Sequence, residues 1–122
     1  MKKIQISTSQ VKVKAYLNDS HTADVIWDNL PLSGKVNTWG DEIYFGVPIN
    51  EKEENPVAEV NIGDLAYWPD GNFFCIFFGK TPISTDSSIK PAGPVNIVGK
   101  VDGDPTELKK VSDGEKIQVD KV

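Results

Sequence analysis

The sequence predicts a mainly β protein: a closed β-barrel of about eight short strands with one main α-helix and a short helical turn. Three observations carry that expectation. Apolar and polar residues alternate with period two in several short runs, the mark of half-buried strands. Turn residues punctuate those runs at short intervals, as in Pro69-Asp70-Gly71-Asn72. Only one stretch has helical spacing. Many short strands with few helices favour closure, because a barrel leaves no strand edge unpaired; a sandwich is the structural alternative.

Residues 3–7 and 11–17 alternate and are joined by Thr8-Ser9-Gln10, which reads as a hairpin. Ala23, Ile26, Trp27 and Leu30 then follow the i, i+3, i+4, i+7 pattern of an amphipathic helix, with Ser20 or Thr22 as cap and Pro31 as stop. Strand patterns return over 35–39, 42–47 and, briefly, 57–60, with the charged loop 50–56 between the last two. Its acidic part, Glu51 to Glu54, reads as a solvated cap that favours solubility. Residues 65–68 and 73–78 form a second hairpin. Residues 80–94 hold three prolines and five hydroxyl residues and form the longest loop, a kind of segment that is usually functional or mobile. A strand over 95–101, a helical turn begun by Asp104-Pro105 and a last strand over 116–120 complete the chain.

Composition bounds the function. With 122 residues, 39% apolar and 25% charged, the chain suits one globular domain, 1–122. No apolar run approaches the ~20 residues of a spanning helix, and the alternating start has no signal-peptide core, so a cytoplasmic protein without membrane contact is expected. The single cysteine, Cys75, agrees with a reducing compartment. The net charge is −5 and all 13 basic residues are lysines. An acidic chain without arginine is a poor nucleic-acid binder, since phosphate and base contacts favour clustered arginine. No metal site and no cofactor are expected, because one His and one Cys make no usual zinc set and Asp102-Gly103-Asp104 lacks the later ligands of a calcium loop.

The stretch GDLAYWPDGNFFCIFFGKTP raises the question of function, because six of the chain's eleven aromatic residues lie between Tyr67 and Phe78. Phe73, Cys75 and Phe77 point one way on this strand and Phe74, Ile76 and Phe78 the other, so both faces are apolar. One must meet the core, and the second must meet another layer, a partner or a ligand. Trp68, Phe74 and Phe78 are expected to wall an outer groove, with Trp39 and Tyr44 opposite; core filling is the competing reading. Glutamate is rarely buried, which favours a solvated strand carboxylate for Glu42, although desolvation beside rings would raise its pKa. Glu42, Tyr44 and His21 are the candidate acid–base groups, His21 being the sole histidine. Cys75 reads as inert core.

The blocks HTADVIWDNLP, TWGDEIYF, GDLAYWPDGNFFCIFFGKTP and VNIVGKV together resemble the small prokaryotic cyclophilin-like proteins. The resemblance covers nearly the whole chain and implies a barrel related to the cyclophilin peptidyl-prolyl isomerases. In those isomerases an arginine hydrogen-bonds the prolyl nitrogen and stabilises the twisted amide. Here the corresponding region reads Gly40-Asp41-Glu42, and an ionised carboxylate donates no hydrogen bond. The resemblance thus implies a cyclophilin-type groove for a peptide or small ligand, without efficient isomerase chemistry. A divergent isomerase or other small-substrate enzyme using Glu42, Tyr44 or His21 is the alternative. Self-association of the aromatic face into a homo-oligomer is a third reading.

Overall fold

The computed structural model describes residues 2–122. Nine strands make one antiparallel sheet: β1 (Lys2–Ser7), β2 (Lys12–Leu17), β3 (Leu32–Lys35), β4 (Asn37–Thr38), β5 (Glu42–Gly46), β6 (Asp64–Trp68), β7 (Phe73–Phe77), β8 (Asn96–Asp102) and β9 (Lys116–Lys121). Their order is β3-β9-β1-β2-β8-β6-β7-β5-β4. The count is nine rather than about eight because the strand expected over 35–39 is two. β3 pairs with β9 and β4 pairs with β5, and the buried Val36 lies between them, bonded through its backbone to Gly114 and Glu115. The two ends of the sheet are therefore consecutive in sequence, and the barrel is nearly closed there. A Cβ on Gly34 would lie 3.0 Å from the Phe45 ring, so glycine lets β3 approach β5 at this seam.

Alternation sets the interior. Ile4 and Ile6 on β1, Val13, Ala15 and Leu17 on β2, Ile43 and Phe45 on β5, and Ile117 and Val119 on β9 all point into one buried cluster. Phe74 and Ile76 join it from β7 and Tyr67 from β6. The hairpins expected at both places are present, in registers Ile4↔Ala15 and Tyr67↔Phe74. The helix α1 (His21–Asp28) packs Ala23 and Ile26 into the same cluster, with Ser20 as N-cap. It ends at Asp28, so Leu30 packs on the core from beyond the helix. A 3-10 helix over Pro105–Lys110, capped by Asp104, adds Leu108. No described helix is long and apolar enough to cross a membrane.

A second, smaller apolar cluster lies on the outer face of the sheet. Ala66, Cys75 and Phe77 are its sheet side, and Val60 and Val95 cover them, with Val57, Ile89 and Ile97 packed alongside. The strand expected at 57–60 is reduced to two isolated bridges, Val57↔Val95 and Val60↔Ile89. Those bridges tie two long connections into a partial outer layer, which is why β7 is apolar on both faces.

The acidic loop is a clamp and not merely a solvated cap. The Glu54 carboxylate accepts hydrogen bonds from the backbone N–H groups of His21 and Thr22, both at 2.9 Å, and from the Thr22 hydroxyl at 2.7 Å. It satisfies first-turn donors that the helix itself leaves unpaired and places a negative charge at the positive end of α1. Asn96, buried on β8, fixes the loop by accepting from Glu54 N at 2.8 Å and donating to Lys52 O at 2.9 Å. The Thr22 hydroxyl and backbone bonds hold the Glu54 pKa below the usual 4.5. A depressed carboxyl pKa stabilises the fold above the unfolded value, and that contribution is lost as pH falls through the folded value. Glu54→Ala is expected to lower unfolding stability at pH 7 by about 1 kcal/mol. In urea titrations repeated at successively lower pH, the difference from wild type should shrink below pH 4.5.

Candidate functional site

The partial outer layer leaves part of the sheet uncovered, and a groove of about 270 Å³ opens there. Its lining is Trp39, Glu42, Tyr44, Trp68 and Cys75, closed on the far side by Pro91, Ala92 and Val95. Strand geometry brings these together. Ile43 and Phe45 face the barrel, so Glu42 and Tyr44 face outward on β5. Tyr44 stands opposite Cys75 and Trp68 opposite Phe73 in the neighbouring registers. The Tyr44 ring meets Phe73 edge-on at 4.9 Å, and the Trp68 ring stacks on Phe73 at 6.0 Å. Phe73 is thus the ring between the two walls.

Trp39 reaches the groove through a tight turn. Its N–H donates to Glu42 O at 2.9 Å and Glu42 N–H donates to Trp39 O at 3.2 Å. Gly40 sits between them at φ +61°, where a Cβ would come 2.7 Å from Lys80 O. Only glycine meets both demands, and the turn fixes Trp39 beside the Glu42 carboxyl.

Glu42 is 5% exposed, so the solvated carboxylate favoured by residue statistics is not what the fold makes. Burial raises its pKa from 4.5 to about 7, against a smaller lowering by a hydrogen bond from the Cys75 thiol. That thiol also lies 3.8 Å from Phe73 O, and its single proton serves one acceptor at a time. Burial first, and then the Glu42 charge, push the Cys75 pKa well above the ordinary thiol value. Cys75 is therefore a protonated wall residue and not a nucleophile. Burial is also the main cause that raises Tyr44, followed by the charges of Glu42, Cys75 and Asp113. Trp68 Nε1 is buried and has no hydrogen-bond partner, and a Cβ on Gly93 would lie 3.0 Å from it. An unsatisfied buried donor costs about 1–3 kcal/mol.

Of the residues expected at the groove, Trp39, Glu42, Tyr44 and Trp68 line it together. Phe74 and Phe78 do not. They are 0% and 5% exposed in the main cluster, because they share the inward face with Ile76 while Cys75 takes the outward one. His21 is also elsewhere, exposed at the start of α1 with Nε2 3.0 Å from Glu51. Pro91, Ala92 and Val95 complete the groove without a sequence signal, since the end of a long loop carries no periodicity. A larger hollow of about 620 Å³ lies between residues 59–62 and 79–89, but Lys80 beside it is already paired with Asp86 at 3.2 Å. It gathers no aromatic wall. Among the described residues, no three His, Cys, Asp or Glu side chains are placed to hold a metal ion.

A buried carboxyl with a raised pKa carries a stability signature of the opposite sign to that of Glu54. Between pH 4.5 and about 7 the folded state binds more protons than the unfolded chain, so stability falls across this window and stays low above it. A shift of this size is worth about 3 kcal/mol once Glu42 is ionised. Glu42→Gln is therefore expected to raise the melting temperature at pH 8, with a gain that fades toward pH 5 in thermal scans.

The comparisons with known proteins agree with this architecture. No curated protein matches the chain. The solution structure of the hypothetical protein AF2241 from Archaeoglobus fulgidus is 39% identical, with a TM-score of 0.84 over 99% of this chain and 95% of that one. McbB, solved in complex with tryptophan, is 14% identical with a TM-score of 0.70, over 96% of this chain and 44% of the McbB chain. At that identity the likeness is one of fold. The cyclophilin-like family matches residues 2–120, and with the AF2241 likeness this places the chain in the cyclophilin-like family.

Proposed function

We propose that the protein binds a small, ring-bearing ligand or a peptide side chain in the flank groove and does not act as an efficient prolyl isomerase. The observation that carries this reading is the convergence of Trp39, Tyr44 and Trp68 around one desolvated carboxyl. Apolar walls with a few fixed polar groups are the usual makeup of a small-ligand site. Here the polar groups are the Glu42 carboxyl and the Tyr44 hydroxyl. The sequence holds no arginine, and no lysine lines the groove. A group able to hydrogen-bond a prolyl nitrogen from a fixed cation is therefore missing from its wall.

A second reading has its own support. A carboxyl with pKa about 7 is matched to proton transfer near neutral pH, so Glu42 is the residue to test for acid–base chemistry on whatever the groove holds. A Glu42→Gln variant that keeps affinity for a substrate but loses turnover would favour this enzyme reading over a binding role.

McbB is described with tryptophan, which makes tryptophan and indole sensible first probes. Amide NMR titration with indole is expected to shift resonances of residues 39–44, 68, 73–75, 92, 93 and 95, and Trp39→Ala to weaken binding about tenfold. Shifts confined to other surfaces, or unchanged affinity in Trp39→Ala, would overturn the assignment. A peptide isomerisation assay is expected to show no acceleration on the scale of a true cyclophilin, and such acceleration would defeat the binding-only role.

A further inference from the structure

Resting on the groove as a binding site, we propose that its ligand class is a bulky organic ammonium, a cationic nitrogen wrapped in carbon, with Glu42 as counter-ion and Trp39, Tyr44 and Trp68 as its walls. Glu42 is 5% exposed, and none of its neighbours in the groove is a lysine. Among the ion pairs of the described residues, none involves Glu42. An ionised Glu42 is thus a desolvated anion with the neutral Cys75 thiol as its donor and no cationic partner, an arrangement that a cation entering the groove would make favourable.

The walls narrow the kind of cation. Ring faces carry negative charge density, so they repel a carboxylate and attract a cation placed over them. A metal ion is a poor fit, since one carboxylate falls short of the oxygen ligands such ions gather. A primary ammonium would bring three N–H donors. Among the lining side chains, only the Glu42 carboxyl and the Tyr44 hydroxyl offer oxygen acceptors. A methylated or otherwise alkylated nitrogen has little or no donor demand and presents carbon to the rings. The groove of about 270 Å³ leaves room for such a head with part of its carrier.

Cation binding must be coupled to a proton. The groups facing Glu42 are Tyr44 on its own strand and Cys75 on β7, with Asp113 acting on Tyr44 from the turn before β9. Trp39, Trp68, Pro91, Ala92 and Val95 complete the lining and do not titrate. Burial raises both Tyr44 and Cys75 above their ordinary values, so they stay neutral near pH 7 and Glu42 alone of the lining groups changes charge there. A bound cation favours the ionised carboxyl, so affinity rises with pH through about 7 and a proton is released on binding below that point.

The test compares choline with its uncharged isostere 3,3-dimethylbutan-1-ol by calorimetry on the full chain, at pH 6 and pH 8, in two buffers of different ionisation enthalpy. Choline is expected to bind about tenfold tighter than the alcohol at pH 8. The preference should narrow at pH 6, with proton release visible as a buffer-dependent heat. Glu42→Gln, checked for folding by its thermal transition, should bind the two probes equally. Equal or reversed preference in the wild type overturns the proposal. If neither probe binds while indole still shifts the groove resonances, the ammonium inference fails and the groove stands; if indole also fails, both fall. A short peptide bearing trimethyl-lysine serves as a third probe. Tighter binding than choline places the ammonium on a protein side chain, and weaker binding places it on a free small molecule; either supports the ligand class.

Discussion

Glu42 lies where water is scarce and where the lining supplies no cation, and most of what is distinctive about this barrel follows from that placement. β5 carries Ile43 and Phe45 into the barrel, so pleating alone sends Glu42 and Tyr44 outward. On an ordinary sheet that outward face would be wet. Here the bridges Val57↔Val95 and Val60↔Ile89 draw two long connections across the sheet, and the carboxyl is desolvated by what flanks it. Its raised pKa is the electrostatic record of that packing.

Such an arrangement costs stability unless something else recovers it, which is the usual mark of a group retained for a purpose other than folding. The fold recovers stability elsewhere by ordinary means. Glu54 clamps the start of α1 and Asn96 holds the clamp. The Tyr67 hydroxyl joins loop and turn within the barrel by accepting from Glu51 N at 3.1 Å and lying 2.7 Å from Ile49 O and 2.8 Å from Asn72 Oδ1. Two carboxylates in one small domain are thus driven in opposite directions. Glu54 is held ionised by donors aimed at it, and burial pushes Glu42 up to about 7 against the weaker pull of the Cys75 thiol.

The barrel was largely legible because its signals are local. Alternation marked β1, β2 and β5, and Pro69 to Asn72 marked the turn between β6 and β7. The two-faced character of β7 was also readable, but its polarity was not: Phe74, Ile76 and Phe78 are no more apolar than Phe73, Cys75 and Phe77 when read alone. The resolving signal lay one strand away. Ile43 and Phe45 fix the inward face of β5, and the register Tyr44↔Cys75 then sends Cys75 outward and Phe74 inward. Without knowing that β5 pairs with β7, nothing in the sequence joins the two patterns. The same limit hid the Glu54 clamp, whose partner Thr22 lies 32 residues away, and the Pro91–Val95 side of the groove.

Glu42 is buried beside a groove whose lining holds no cation, and its titration follows from that placement. Carbon-13 NMR of the side-chain carboxyl, assigned by comparison with Glu42→Gln and followed across pH, measures it directly. A midpoint near 7 is the expected result. A midpoint near the ordinary glutamate value of about 4.3 would mean that water reaches the carboxyl freely, and the groove would lose the property on which its proposed chemistry rests.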